Sequence, residues 1–105
     1  MARDPGTDIH GHPFKPEIVE MVWNRGKIVQ GIDPSIRRKD SCGAWIDKEQ
    51  HGFRVENGTG WEIDHIQPVI KGGNDDISNL QPLQWENNRN KGDEFPGWGC
   101  SVESV

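Results

Sequence analysis

The sequence predicts a small α+β domain, and three observations lead to that prediction. The chain has 105 residues, which is enough for a single domain. Residues 16–25 carry apolar side chains at helical spacing. Residues 61–91 show, in order, the patterns of a strand, a loop, a second strand and a helix. We therefore divide the chain into an irregular arm at residues 1–15 and a folded domain at residues 16–105.

The first predicted element is the helix at residues 16–25. Pro16 suits the first helical turn, where no intrahelical partner is lost with its missing N–H. One apolar stripe would face the core, formed by Ile18, Val19, Val22 and Trp23. Gly26 provides a stop, and residues 26–41 are predicted to be mostly loop with a basic face.

Two short strands are predicted next, at residues 42–48 and 53–56, followed by a turn at residues 57–60, where Asn, Gly and Thr cluster. The elements predicted for the following segment are a strand at 61–66, a loop at 71–76, a strand at 78–83 and a helix at 84–91. Pro82 indicates an end or an edge position for the second strand, and Gly92 ends the helix.

The composition limits both the core and the class of partner. Hydrophobic residues make up 31% of the chain, so the core is expected to be modest. Five tryptophans compensate in part, because each ring buries a large apolar area. The net charge of -5 argues against a protein that simply coats nucleic acid, although basic residues cluster at residues 37–39 and 89–91.

Cysteine usage and the absence of long apolar runs complete the general picture. Cys42 and Cys100 are the two cysteines, and no CxxC pair occurs, which excludes a four-cysteine zinc site. The N-terminus lacks the apolar run of a signal peptide, and no stretch is apolar enough for a membrane helix. Two cysteines could form one disulfide, but nothing else points to secretion. We expect a soluble protein of a reducing cytoplasm, with no membrane partner and with both cysteines free.

Four polar residues of the central segment are expected to meet in space. Asp64 and His65 end one predicted strand, Asn79 lies on the next strand, and Asn88 lies on the helix that folds back. Neighbouring strand residues point to opposite faces. A shared site for Asp64 and His65 therefore requires the backbone to twist at residues 66–68, where a proline gives it reason to do so.

These residue types suit phosphodiester hydrolysis. His65 can act as a base because imidazole titrates near neutral pH. Asp64 and Asn88 offer oxygen ligands, which suit a hard ion such as Mg²⁺ or Mn²⁺. Lys91 and Arg89 are candidates for contacts with phosphates.

The same segment resembles the HNH endonuclease motif. His65 and Asn79 are 14 residues apart, Asn79 and Asn88 are 9 apart, and they match the three signature positions of that family. The resemblance covers residues 61–93 and rests on the runs Glu62-Ile63-Asp64-His65-Ile66, Lys71-Gly72-Gly73, Asp76, Asn79-Leu80-Gln81-Pro82-Leu83 and Asn88-Arg89-Asn90-Lys91-Gly92.

The resemblance implies a ββα-metal (His-Me finger) fold and a metal-dependent endonuclease that cuts DNA as a monomer or homodimer. It implies that His65 is the general base, that Asp64 and Asn88 bind the metal, and that Asn79 braces the loop carrying the base. The implied cofactor is Mg²⁺ or Mn²⁺, with Ni²⁺ or Zn²⁺ as alternatives. Asn88 stands where many members have histidine. The structural zinc of many members has no ligands here, so Trp85 and its neighbours are expected to fill that space.

Several alternatives stay open at this point. The domain could be a non-catalytic, metal-stabilised module that binds DNA or a protein, and a nuclease toxin ranks third. Arg37 and Arg38 are candidates for the DNA backbone, with a solvated basic face as an equal alternative. Glu62 could bind metal, orient a ligand or form an ordinary ion pair. Asn87 adjoins Asn88, so the ligand register could differ by one residue.

Overall fold

The computed structural model describes residues 4–104, so residues 1–3 of the predicted arm and residue 105 lie outside the described part. Within that part the chain forms two helices and two antiparallel sheets of two strands each, which confirms the α+β prediction. The elements are α1 (Pro16–Trp23), β1 (Arg37–Lys39), β2 (Trp45–Asp47), β3 (Trp61–His65), β4 (Leu80–Gln84) and α2 (Trp85–Lys91). Short 3-10 turns lie at Lys48–Gln50, Val69–Lys71 and Ile77–Asn79. Neither helix of the described part is long and apolar enough to span a bilayer.

The central segment forms a ββα unit. β3 and β4 pair antiparallel, from Trp61 opposite Gln84 to His65 opposite Leu80. α2 follows β4 without a loop, because the Gln84 side chain caps it by accepting hydrogen bonds from the first backbone N–H groups of the helix. Pro82 lies within β4, which is tolerated because a two-stranded sheet leaves every strand at an edge. The helix therefore starts beside the sheet and packs close to β3.

The buried core joins α1 to both sheets. Its members are Val22, Trp23, Ile46, Trp61, Ile63 and Leu80. The rings of Trp23 and Trp61 pack with their centroids 5.3 Å apart, and each indole N–H donates to a backbone carbonyl. The other three tryptophans are only partly buried, so two rings supply most of the expected tryptophan core.

Some predicted strands differ from the observed ones. Residues 53–56 are not a strand, because Phe53 and Val55 are more than half exposed and their alternation buries no face. β1 lies inside the segment predicted as loop and pairs with β2, which is shorter than predicted. The second strand of the ββα unit begins at Leu80, so Asn79 lies in a 3-10 turn before the strand.

The prediction of two free cysteines is wrong. Cys42 and Cys100 form a disulfide across 58 residues. The C-terminal segment is held beside β2 by two hydrogen bonds as well, since Ser104 N donates to Gly43 O and Trp45 N donates to the side-chain Oγ of Ser104. Because the two cysteines are so far apart in the sequence, no local spacing indicated the pairing.

Candidate active site

A cleft of about 430 Å³ opens at the end of β3. Asp64 and His65 of β3 line it together with Asn88 and Arg89 of α2. Residues 4–6 of the N-terminal arm form another part of its wall. The three residues predicted to carry the chemistry therefore meet in one place.

The chain bends directly after β3, as a shared site for two neighbouring strand residues requires. Residues 66–67 form a bend, and Ile66 N donates to Asn79 O at the end of the ladder. His65 is the last residue of β3 and lines the cleft together with Asp64.

Asp64 is a buried carboxylate with two nearby donors. Gln81 Nε2 donates to its Oδ2 at 2.9 Å, and Lys91 Nζ lies 3.2 Å from its Oδ1. Burial raises the pKa of Asp64, and the contacts with Gln81 and Lys91 oppose that rise only in part. A cation in the cleft would favour the ionised form of this carboxylate.

Asn88 is oriented by Glu62. Its Nδ2 donates to Glu62 Oε1 at 2.9 Å, so Oδ1 is the atom left to act as a ligand. Glu62 also accepts from Arg54 at 2.9 Å and from Arg89 at 3.1 Å. Burial works against ionisation of Glu62, but the hydrogen bonds from Asn88, Arg89 and Arg54 outweigh it and lower its pKa. Of the three roles left open for Glu62, this geometry favours an ion-paired carboxylate that orients Asn88.

The two adjacent asparagines make different contacts. Asn87 Nδ2 donates to Asp40 Oδ2 and to Val102 O, so this side chain is used in a buried network with the C-terminal segment. Asn88, one residue on, lines the cleft.

His65 is buried, lines the cleft and is held from several sides. Its Nε2 lies 2.7 Å from Asp75 Oδ1, its backbone carbonyl accepts from Lys91 Nζ at 3.0 Å, and its ring lies 5.9 Å from the ring of Phe14. Asp75 was not singled out from the sequence, because no spacing rule connects a loop carboxylate to a histidine ten residues earlier. The ring is therefore fixed in position before any substrate binds.

Asn79 closes the loop that follows His65. Its Oδ1 accepts from Gln67 N at 2.8 Å, and its Nδ2 donates to Gln67 O at 3.1 Å and to Asn74 O at 2.9 Å. These contacts fit the bracing role expected for Asn79, which stays a prediction until it is measured.

The predicted phosphate contact of Lys91 is contradicted. The residue is 1% exposed, and its ammonium is engaged by His65 O and by Asp64 Oδ1. A buried lysine with these two partners holds the end of β3 against α2 and cannot reach a phosphate in this position.

Arg38 is also an internal residue, which contradicts its predicted contact with nucleic acid. It is 8% exposed, donates to the carbonyls of Pro34, Asn24 and Gly26, and lies over the Trp23 ring. Its guanidinium joins the end of α1 to β1.

Two of the predicted nucleic-acid contacts remain accessible. Arg89 lines the cleft with a side chain that is 39% exposed. Arg37 forms a two-pronged ion pair with Asp47, and its side chain is 41% exposed. Arg54 adds a cationic group beside Glu62 that the sequence did not point to.

The donor set suits a hard divalent ion that keeps most of its water. Asp64 supplies a buried carboxylate and Asn88 an amide oxygen, whereas no group of three or more His, Cys, Asp or Glu side chains within residues 4–104 is arranged to hold a metal. Mg²⁺ is commonly bound by one or two protein oxygens, with waters and substrate phosphates completing the shell. The residues present therefore fit such an ion better than a closed structural zinc site.

One comparison with known proteins gives a match. A family model described as HNH endonuclease matches residues 41–94, about half of the chain. The matched range contains both strands and the helix of the ββα unit and all three signature residues. No curated protein and no solved structure matches the chain.

Proposed function

The chain belongs to the HNH endonuclease family, and on that premise we propose that it is a divalent-metal-dependent endonuclease that hydrolyses phosphodiester bonds in DNA. The observation that carries the proposal is the convergence of His65, Asp64 and Asn88 on one cleft, with Arg89 at its wall. This hydrolysis needs a general base, oxygen ligands for a divalent metal ion, and a positively charged side chain that binds the phosphate.

In the proposed reaction His65 takes a proton from a water molecule as that water attacks the phosphorus in line. The bond from phosphorus to the 3′ oxygen breaks, and the leaving oxygen takes a proton from solvent, so the products carry 5′-phosphate and 3′-hydroxyl ends. Arg89 binds a phosphate oxygen and helps to hold the strand in place.

The metal is proposed to be Mg²⁺ or Mn²⁺, held by Asp64 Oδ and Asn88 Oδ1. When bound, it supplies positive charge next to the scissile phosphate and the leaving oxygen. Glu62 and Gln81 keep the two ligands in place. Glu62 accepts a hydrogen bond from Asn88, and Gln81 donates one to Asp64.

The first test is the variant His65→Ala in a plasmid-nicking assay with Mg²⁺, Mn²⁺, Ni²⁺ or Zn²⁺. We expect a loss of at least about a hundredfold in the cleavage rate, because general-base catalysis contributes about that much or more. His10→Ala is the matched control, since His10 is an exposed histidine of the arm and should cut like the wild type. Undiminished cutting by His65→Ala would refute the assignment.

The second test measures metal binding directly. Asn88→Ala should weaken the binding of Mn²⁺ about tenfold to a hundredfold in a calorimetric titration, whereas Asn90→Ala, on the exposed side of the same helix, should leave it unchanged. Equal affinities for the two variants would remove Asn88 from the ligand set.

The alternative is a non-catalytic module of the same fold that binds DNA or a protein. The small ligand set, with two proposed oxygen donors, is the observation that favours it. Purified protein that binds DNA but nicks neither double- nor single-stranded DNA with any of the four cations would support this alternative. Cleavage of RNA but not DNA would support the proposed phosphodiester hydrolysis and would show that the substrate is RNA.

A further inference from the structure

We propose that Asp75 is a positioning residue for His65, fixing which ring nitrogen of the base carries the proton and tying that ring to the N-terminal arm. The proposal rests on the proposed nuclease function. It adds a residue that neither the signature pattern nor the ligand set includes.

The first step is the pair of contacts made by the Asp75 carboxylate. Oδ1 lies 2.7 Å from His65 Nε2, and Oδ2 accepts a hydrogen bond from Ile9 N at 3.2 Å. One carboxylate therefore joins residues that are 10 and 66 positions away in the sequence. Because an ionised carboxylate only accepts hydrogen bonds, Nε2 must carry the proton in this pair.

The second step concerns the proton on the imidazole. A neutral ring carries one N–H, so a proton held on Nε2 by Asp75 puts the lone pair on Nδ1. Nδ1 is then the atom that accepts the proton from water. In other hydrolases a carboxylate of this kind holds a catalytic histidine in the correct tautomer and orientation.

The third step is the rigidity of the loop that carries Asp75. Asn79 Nδ2 donates to Asn74 O, and Asp76 N donates to Asn74 Oδ1, so both neighbours of Asp75 are held. At Gly73 a Cβ atom would lie 1.7 Å from Gln67 O, so only glycine allows the loop to pass so close to the chain after His65. The carboxylate is thus presented to the ring by a fixed backbone.

The part of the arm around Ile9 is held by its own hydrogen bonds. Asp8 Oδ1 accepts from the backbone N–H groups of His10 and His12 and closes a tight turn that contains Ile9. Phe14, at the end of the same arm, lies against the His65 ring. The arm therefore reaches the base twice, once from within this turn through Asp75 and once beyond it through the aromatic contact of Phe14.

The test combines a spectroscopic and a kinetic measurement on the full chain. In a long-range ¹H–¹⁵N spectrum of ¹⁵N-histidine-labelled wild type, recorded where the ring is neutral, we expect His65 to show a protonated Nε2 and an unprotonated Nδ1. The His65 signals are identified by their absence from His65→Gln. In Asp75→Ala the two nitrogens should move toward the averaged shifts of a mixed population of tautomers.

In steady-state cleavage at saturating metal, Asp75→Ala should lower kcat about tenfold to a hundredfold and change KM by less than about twofold. Asp76→Asn is the matched control, because it changes the charge of the adjacent exposed residue in the same loop and should match the wild type.

The outcomes separate this proposal from the proposed function. A wild-type His65 that carries its proton on Nδ1 overturns the positioning role, and this holds even if Asp75→Ala fails to fold. Unchanged kcat and an unchanged tautomer in folded Asp75→Ala overturn it as well. Wild type that cleaves nothing refutes the nuclease function, while its spectrum still decides whether Asp75 sets the tautomer.

Discussion

The disulfide between Cys42 and Cys100 is predicted to supply a large part of the stability of this domain. It connects the turn before β2 to the C-terminal segment, which also contacts α2. There Asn87 Oδ1 accepts from Ser101 N and from Val102 N, each at 2.8 Å. Reducing the disulfide therefore frees a segment that supports the helix carrying Asn88.

The size of the effect follows from the length of chain that the disulfide closes. For a separation of 58 residues, the chain-entropy relation gives a loss of about 14 cal/mol/K from the unfolded state, which is about 4 kcal/mol at 25 °C. Small domains are stable by roughly 5–15 kcal/mol, so this is a substantial fraction. At roughly 4–8 °C per kcal/mol, the expected fall in Tm is roughly 15–30 °C.

The assay is urea unfolding followed by tryptophan fluorescence, because Trp23 and Trp61 are buried and lose their environment on unfolding. Oxidised protein is compared with protein kept in a phosphine reductant, and a thiol titration in denaturant verifies each redox state. The double variant Cys42→Ala/Cys100→Ala is the control and should unfold at the same midpoint with and without reductant. Two titratable thiols with an unchanged unfolding midpoint would refute the reasoning.

Three further predictions concern charged groups. Lys91→Met should destabilise the fold by about 3–5 kcal/mol in urea unfolding, because it leaves the buried Asp64 carboxylate without its cation; stability like that of the wild type would contradict this. Arg89→Ala should lower the free energy of unfolding by under about 1 kcal/mol. It should also reduce the steepness of the plot of log affinity for DNA against log salt by about 1, and an unchanged slope would remove Arg89 from the DNA contact. The hydrogen bond from Arg37 lowers the pKa of Asp47 below its usual value of 3.8, so the stabilisation is present above that value and is lost as the pH falls through the folded-state pKa. Asp47→Asn should therefore unfold more easily than the wild type near neutral pH, and the difference should shrink as the pH falls through the folded-state pKa; a difference that does not change with pH would contradict this.

The parts of the fold that the sequence predicted are those set by local pattern. The helix at Pro16–Trp23 has a proline at its start and one apolar face, and the helix at Trp85–Lys91 ends at a glycine. The alternation and turns around β3 and β4 predicted the ββα unit, and the signature spacing predicted that His65 and Asn88 would share a site. Each of these signals is contained in a window of about 30 residues or fewer.

What the sequence did not predict depends on contacts between distant segments. Nothing local distinguishes Lys91, which turns inward to Asp64, from Arg89, which lines the cleft, because both are basic residues of one short helix. β1 is a strand only because β2 pairs with it, and its three residues carry no apolar alternation. Asp75 reaches His65 because the loop between β3 and β4 folds back over the end of the strand.

The support for α2 also differs from the tryptophan packing expected in place of a structural zinc. Trp85 is only partly buried, whereas Asp40 is fully buried and accepts four hydrogen bonds. Its Oδ1 accepts from Cys42 N and Ala44 N, and its Oδ2 accepts from Gln84 N and Asn87 Nδ2.

A buried carboxylate is stable only when its oxygens are satisfied in this way, and here the donors come from both sides of the junction between the turn before β2 and the start of α2. Gln84 caps α2 and Asn87 lies within it, so Asp40 fixes the start of the helix that places Asn88 at the cleft. The disulfide begins two residues after Asp40 and returns the C-terminal segment to Asn87. The carboxylate and the disulfide therefore act on the same junction, which is why loss of the covalent link is expected to weaken the site as well as the fold.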